Sequence, residues 1–217
     1  MSTYDWIAPI YKKAKFVVFD TETTGLKPEE NRVVEIGAIK FDSGGILSRF
    51  AVLIDPGISM PKEAKDVNNI TDDMLKGQPS FKEVAKDFLN FIQDTVLIAH
   101  NASFDVSFIN AELKRCKIGK LTNKVVDTLI FSKEVFPRLY SYKLQELAKK
   151  FQITVFEAHR AEDDARVCME LFNYVAKHFI DSNQDMISYW EKQFKIEDYI
   201  YTKKVEIEED HSTQALF

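Results

Sequence analysis

An apolar run, Phe16-Val17-Val18-Phe19, leads directly into Asp20-Thr21-Glu22-Thr23-Thr24-Gly25. Consecutive valines and phenylalanines imply a strand buried on both faces. Such a strand tolerates carboxylates poorly, yet two arrive at its end. Side chains alternate along a strand, so Phe16, Val18, Asp20 and Glu22 share one face. At about 3.3 Å per residue the two acids sit roughly 6.6 Å apart along the backbone, close enough for their oxygens to converge. Two like charges there repel and resist desolvation. They need either exposure in a fraying turn, which Thr23-Thr24-Gly25 would supply, or a compensating cation. Carboxylates arriving from other segments at similarly awkward positions favour the cation.

The chain has 217 residues, enough for one sizeable domain plus an appendage. No apolar run approaches the roughly 18 residues of a membrane span, and the first residues lack the apolar centre of a signal peptide, so a cytoplasmic protein is expected. Cys116 and Cys168 are too few for a disulfide framework, show no CxxC spacing, and fall on helix faces where a thiol serves packing. The net charge of −5 resides in residues 181–217, which leaves the preceding 180 residues neutral. A neutral body with an acidic tail is unlike a free-standing, tight nucleic-acid binder. It is compatible with a nucleic-acid enzyme held on its substrate by something else.

Residues 1–14 read as a polar lead-in. Residues 33–40 and 46–54 read as second and third strands, joined by the hairpin signal Asp42-Ser43-Gly44-Gly45 and closed by Asp55-Pro56-Gly57. Short helical segments follow at 61–67 and 71–75. Ser80 and Glu83 form a capping box opening an amphipathic helix with Phe81, Val84, Ala85, Phe88, Leu89 and Ile92 on one side. A fourth strand at 95–99, a helix at 102–116 and a short strand at 124–126 come next, then helices near 128–136, 143–151 and 160–179. Strands first, then alternating helix and strand, specify an α/β domain with a mixed five-stranded sheet flanked by helices over residues 15–180.

Two further carboxylates point toward this core. Asp105, in His100-Asn101-Ala102-Ser103-Phe104-Asp105, shares a helix face with Phe108, Ile109 and Glu112. In His159-Arg160-Ala161-Glu162-Asp163-Asp164, helical phase aligns Asp164 with Val167, Cys168, Leu171 and Phe172, the buried stripe. Asp163 aligns instead with Arg166 and Glu170 on a polar flank. Solvated acids at helix N-termini are the plain alternative for both sites, but an inward aspartate without a partner is costly. Asp20, Glu22, Asp105 and Asp164 thus aim at one core from three segments, with His159 five residues before the last. Oxygen ligands without cysteine suit Mg²⁺ or Mn²⁺. Four of them match a pair of ions about 3.5–4 Å apart, the arrangement of phosphodiester hydrolysis. A histidine with an ordinary pKa of about 6.5 suits a general base there, which is the role expected of His159; His100 and His178 are expected to be structural.

The combined pattern Asp20-x-Glu22, Asn101-x-x-Phe104-Asp105 and His159-x-Ala161-x-x-Asp164 resembles the DEDDh 3′–5′ exonuclease family, especially the proofreading exonucleases of bacterial replicative polymerases. The resemblance covers about residues 15–180 and includes Val34-Glu35-Ile36-Gly37-Ala38. It implies a ribonuclease-H-like fold, with Asp20, Glu22, Asp105, His159 and Asp164 catalytic, the four carboxylates binding two ions, and release of nucleoside 5′-monophosphates from DNA 3′ ends. It also implies substrate contacts at Thr21, Thr23, Glu63, Asn68 and Phe104. Phe104 serves the core equally well, and Leu26 is a further candidate beside the terminal base. Asn68 and Asn69 stand where the family commonly has histidine and glycine; asparagine retains donor capacity and tolerates left-handed backbone. A DEDDh ribonuclease trimming RNA needs the same five catalytic residues, and a catalytically silent adaptor would keep the fold without using them. Expected partners are DNA 3′ ends and a replicative polymerase subunit or sliding clamp, with no membrane.

Residues 181–217 form an acidic tail. Ile187, Trp190 and Phe194 favour an extra helix over 184–200 that packs back on the domain. Beyond it, 203–210 reads as charged and extended. The end, Gln214-Ala215-Leu216-Phe217, resembles clamp-binding peptides, one residue short in spacing from Gln214.

Overall fold

The computed structural model describes residues 2–200. β1 (Phe16–Thr23) lies at the centre of a five-stranded sheet, between β2 (Val33–Asp42) and β4 (Val96–Ala99). β3 (Gly45–Leu53) pairs outside β2, and β5 (Val125–Asp127) outside β4, giving the order β3-β2-β1-β4-β5. The first three strands are antiparallel neighbours; β4 and β5 run parallel to β1. The chemistry of the connections explains the split. Asp42 accepts the Gly44 N–H at 2.7 Å in the β2–β3 turn, where Gly45 takes a φ of 130°. A parallel return to the sheet needs a crossover, supplied chiefly by a helix.

The helices are α1 (Ile7–Ile10), α2 (Lys62–Asn68), α3 (Asp72–Leu75), α4 (Phe81–Ile92), α5 (Ser103–Arg115), α6 (Thr128–Val135), α7 (Leu144–Lys150), α8 (Ala161–Ser182), α9 (Gln184–Gln193) and α10 (Glu197–Ile200). The capping box opens α4, with the Ser80 N–H donating to Glu83 Oε2 at 2.7 Å. Alternation on β1 sends Val17 and Phe19 toward α4 and α5. Phe16 and Val18 face the opposite layer, where α8 lies across the sheet with Val175 and Phe172 fully buried. Asp20 and Glu22 continue that second face and therefore end under the first turn of α8.

One residue lets α8 come so close. Gly37 pairs with Asp20 across β1 and β2, and a Cβ placed on it would lie 2.2 Å from the backbone of Ala161 and Glu162. The obstructing atoms are backbone, so no rotamer change relieves the clash. Gly37→Ala is expected to cost about 1–3 kcal/mol, the usual range for overpacking, and to slow hydrolysis by shifting the helix that carries Asp164. Urea melts alongside an activity assay check this; wild-type values in both would show that α8 has room to move.

The core also takes in part of the 1–14 segment read as a polar lead-in. Tyr4, Ile7, Ile10 and Ala14 are buried against the α8 layer. Helical spacing brings these apolar residues to one side, while Lys12 and Lys13 remain exposed. After α8 the chain turns back. Trp190 of α9 stacks on Phe179 with ring centroids 5.5 Å apart, and Tyr199 stacks on Trp6 at 4.6 Å. The segments at 203–210 and 214–217 lie outside the described residues. Among the described residues, no helix is long and apolar enough to cross a membrane.

Candidate active site

Three elements deliver the four carboxylates of the cluster. Strand alternation brings Asp20 and Glu22. Asp105 comes from the first turn of α5, joined to β4 by a three-residue link that contains a left-handed residue, Asn101. Asp127, at the end of β5, accepts the N–H groups of Asn101 at 3.1 Å, Ala102 at 3.0 Å and Leu129 at 2.9 Å. That single side chain steadies the approach to α5 and the start of α6. Asp105 is buried, and its Oδ1 accepts both the Thr21 N–H at 2.9 Å and the Thr21 hydroxyl at 2.8 Å. Asp164 is buried in the first turn of α8, accepting from Gln145 Nε2 at 2.7 Å and from the His159 N–H at 2.8 Å.

Ligand atoms of Glu22, His159 and Asp164 all lie within 4.8 Å of one another. Asp20 senses Asp105 most strongly among its charged neighbours, then Glu22, Asp164 and Glu35. Burial, reinforced by those charges, holds the Asp20 carboxyl well above the usual carboxylate range. Burial and the charges of Asp164, Glu35 and Asp105 push Glu22 up to about 8. Burial raises Asp105 to about 7 against the hydrogen bonds from Thr21, and raises Asp164 against those from His159 and Gln145. Among the described residues, no lysine or arginine forms an ion pair with these four acids. Hard oxygen donors concentrated without a counter-charge fit a divalent cation.

Without metal, this concentration works against the fold. Glu22 and Asp105 have folded pKa values above their unfolded ones. The stability they permit is therefore full below about pH 4 and is lost as pH rises through about 7–8. In chelator, a loss of about 2 kcal/mol between pH 5.5 and 8.5 would lower Tm by about 4–8 °C. Added Mn²⁺ is expected to restore most of it at the upper pH. A Tm flat across this range in chelator would mean the carboxylates do not repel.

The flanks of the site explain how His159 is carried. His159 is exposed with a φ of 62°, a left-handed conformation uncommon outside glycine. The loop before it is tied down from α8. Asp163 Oδ2 accepts the N–H groups of Phe156 at 2.8 Å and Glu157 at 2.9 Å, and Asp163 Oδ1 accepts from Arg166 Nε at 2.8 Å. The phase separating Asp163 from Asp164 is thus observed, but Asp163 turns to this loop and not to solvent. Arg160 grips Glu35 through Nη2 at 2.9 Å and Nε at 3.3 Å, and Glu35 also accepts the Ala161 N–H at 3.1 Å. Glu35 is the buried acid that sequence reading missed. Its signal was present: a carboxylate inside the apolar run of β2, opposite Glu22 in register.

The expected substrate contacts divide. The Thr21 hydroxyl is committed to Asp105, and the Thr23 hydroxyl donates to the Gly25 carbonyl at 2.6 Å. Asn68 is buried; its amide donates to the Thr23 carbonyl at 3.3 Å and its Oδ1 accepts the Ile70 N–H at 3.1 Å. Asn69 takes the left-handed conformation its position requires, with a φ of 58°. Phe104 packs on Phe108 at 4.8 Å beside the α4–α5 core. Glu63 on α2 and Leu26 after β1 are exposed. His100 is structural, bonded through Nδ1 to Thr128 Oγ1 at 2.9 Å and through Nε2 to the Tyr142 carbonyl at 2.8 Å.

A mixed sheet whose central strand, α5 and α8 converge four carboxylates beside a histidine defines a ribonuclease-H-like 3′–5′ exonuclease. The Exonuclease family model matches residues 17–172, and the chain belongs to that family. The chain is 51% identical to the DNA polymerase III subunit epsilon of Treponema pallidum, over 86% of this chain and 87% of that one. It is 43% identical to the DNA polymerase III PolC-type protein of Halalkalibacterium halodurans, over 70% of this chain and 11% of that much longer one. Solved structures agree on the fold. Exonuclease X in complex with 5′ overhanging duplex DNA superposes with a TM-score of 0.61 at 20% identity, covering 85% of this chain and 97% of that one. E. coli Exonuclease I with a dA16 oligonucleotide gives 0.69 at 18% identity, over 82% and 43%.

Proposed function

We propose that this chain removes nucleotides from DNA 3′ ends with two divalent ions, Mg²⁺ or Mn²⁺, and serves proofreading in replication. The observation that carries the reading is the convergence of Glu22, His159 and Asp164 beside the mutually repelling Asp20 and Asp105. Asp20, Asp105, Asp164 and Glu22 would hold the ions, which when bound supply Lewis-acid charge stabilisation and a water of lowered pKa. His159 accepts a proton from the attacking water. Glu22 also orients that water. Attack on the terminal phosphorus breaks its bond to the 3′ oxygen, releasing a nucleoside 5′-monophosphate and leaving a new 3′ hydroxyl. Glu63 and Leu26, exposed on the neighbouring segments, are the candidates to touch the terminal nucleotide.

The relative from Treponema pallidum supports DNA as substrate and a replicative polymerase as partner. The balanced charge of residues 1–180 fits an enzyme retained by such a partner; a sliding clamp bound through 214–217 would add retention. A cytoplasmic location follows from that role. Matched and mismatched primers of DNA and RNA separate the readings. Faster trimming of mismatched DNA 3′ ends supports proofreading, whereas preference for RNA would assign a ribonuclease. Loss of no nucleotide from any primer with Mn²⁺ present would leave only an adaptor.

A further inference from the structure

Asp164 is held at both carboxylate oxygens, and one donor comes from outside the motif segments. Gln145, near the start of α7, reaches Oδ1 at 2.7 Å while the His159 N–H holds Oδ2 at 2.8 Å. The position of the amide is itself built. Leu147 of α7 is fully buried in the layer that contains α8, and its neighbour Ala148 is fully buried as well. The segment leading into α7 is fastened by His100, whose Nε2 meets the Tyr142 carbonyl. A carbonyl only accepts, so Nε2 carries the proton and Nδ1 accepts from the Thr128 hydroxyl. The end of β4 thereby fixes the height of α7 over the cluster.

We propose that Gln145 is a positioning residue that orients the Asp164 carboxylate for metal binding. This rests on the reading of the cluster as a divalent-ion site. A neutral amide suits the task chemically. An arginine or lysine would neutralise the ligand and compete with the ion, and a glutamate would add a further negative charge to a cluster already under repulsion. An amide fixes the carboxylate plane and leaves its remaining lone pairs for a cation. Thr21 stands in a similar relation to Asp105, so two of the four acids have a neutral side-chain partner.

The test uses the full chain with Gln145→Met, which keeps length and removes the donor, and Gln145→Asn, which keeps the amide and shortens its reach. Mn²⁺ binding is measured by electron paramagnetic resonance without substrate, and the Mn²⁺ dependence of oligonucleotide cleavage is measured separately. Both variants are expected to bind Mn²⁺ about 10- to 100-fold more weakly, the usual effect of losing a partner to a metal ligand. The activation midpoint should move equally, while saturating Mn²⁺ returns the rate toward wild type with KM for the oligonucleotide unchanged. A purely structural role would lower thermal stability without moving the midpoint. Wild-type Mn²⁺ affinity in both variants, alongside lost binding in Asp164→Asn, would overturn the proposal and leave the metal site standing. Absence of Mn²⁺ binding by the wild-type chain would overturn both.

Discussion

Asp20→Asn is expected to abolish measurable hydrolysis while making the metal-free protein more stable at pH 8. The two effects have one cause. Asp20 lies against Asp105, Glu22 and Asp164, whose charges together with burial oppose its ionisation. An amide of the same shape removes one member of the repelling set. It also removes a ligand from the ion site, and several kcal/mol of transition-state stabilisation with it, at least about 10³-fold in rate. Asp164→Asn should behave alike in rate. Its Tm gain should be smaller, because Asp164 also accepts the hydrogen bonds of Gln145 and the His159 N–H. Thermal melts in chelator and in Mn²⁺, with initial rates on a short oligonucleotide, check both claims. An Asp20→Asn protein that melts lower than wild type in chelator would contradict the repulsion on which the account rests.

His159→Ala should lose roughly 10²–10⁴-fold in rate, the range for a positioned acid–base group. The side chain is exposed, and the backbone N–H that binds Asp164 remains in the variant, so Tm should change little. Asp163→Ala makes an informative companion. It leaves the imidazole in place but frees the Phe156 and Glu157 N–H groups that hold the loop. Its rate loss should be smaller than that of His159→Ala and accompanied by a lower Tm. A His159→Ala protein cleaving at the wild-type rate at neutral pH would remove the imidazole from the mechanism.

Both variants bear on how much of the site was legible in the sequence. Periodicity alone placed Asp20 and Glu22 on one face of β1 with Phe16 and Val18, the face that the structure packs against α8. Helical phase did the same for Asp164 by aligning it with the buried Val167, Cys168 and Leu171. These are short-range regularities. What they could not supply was the return of distant chain. The polar flank of Asp163 was correctly separated from Asp164, but nothing local revealed that residues 156 and 157 fold back upon it. Gln145 carries no signal in its own helix, since an amide near a helix start is ordinary; only the packing of α7 on α8 gives it meaning. Glu35 was readable by the rule that exposed Asp20 as anomalous. The buried Tyr4 and Ile7 were obscured because a short helix with nearby lysines shows too few turns for its periodicity to stand out.

In the proposed reaction the carboxylate cluster hydrolyses the terminal phosphodiester of a DNA 3′ end when supplied with divalent ions. Its most direct measurement is digestion of one single-stranded oligonucleotide, labelled at its 5′ end, with products resolved in time and the released material identified by mass. A ladder shortening from the 3′ end and nucleoside 5′-monophosphates are expected in Mg²⁺ or Mn²⁺. No cleavage is expected in chelator, and none by Asp20→Asn. Unchanged cleavage in chelator, or release of the 5′-terminal nucleotide first, would contradict it.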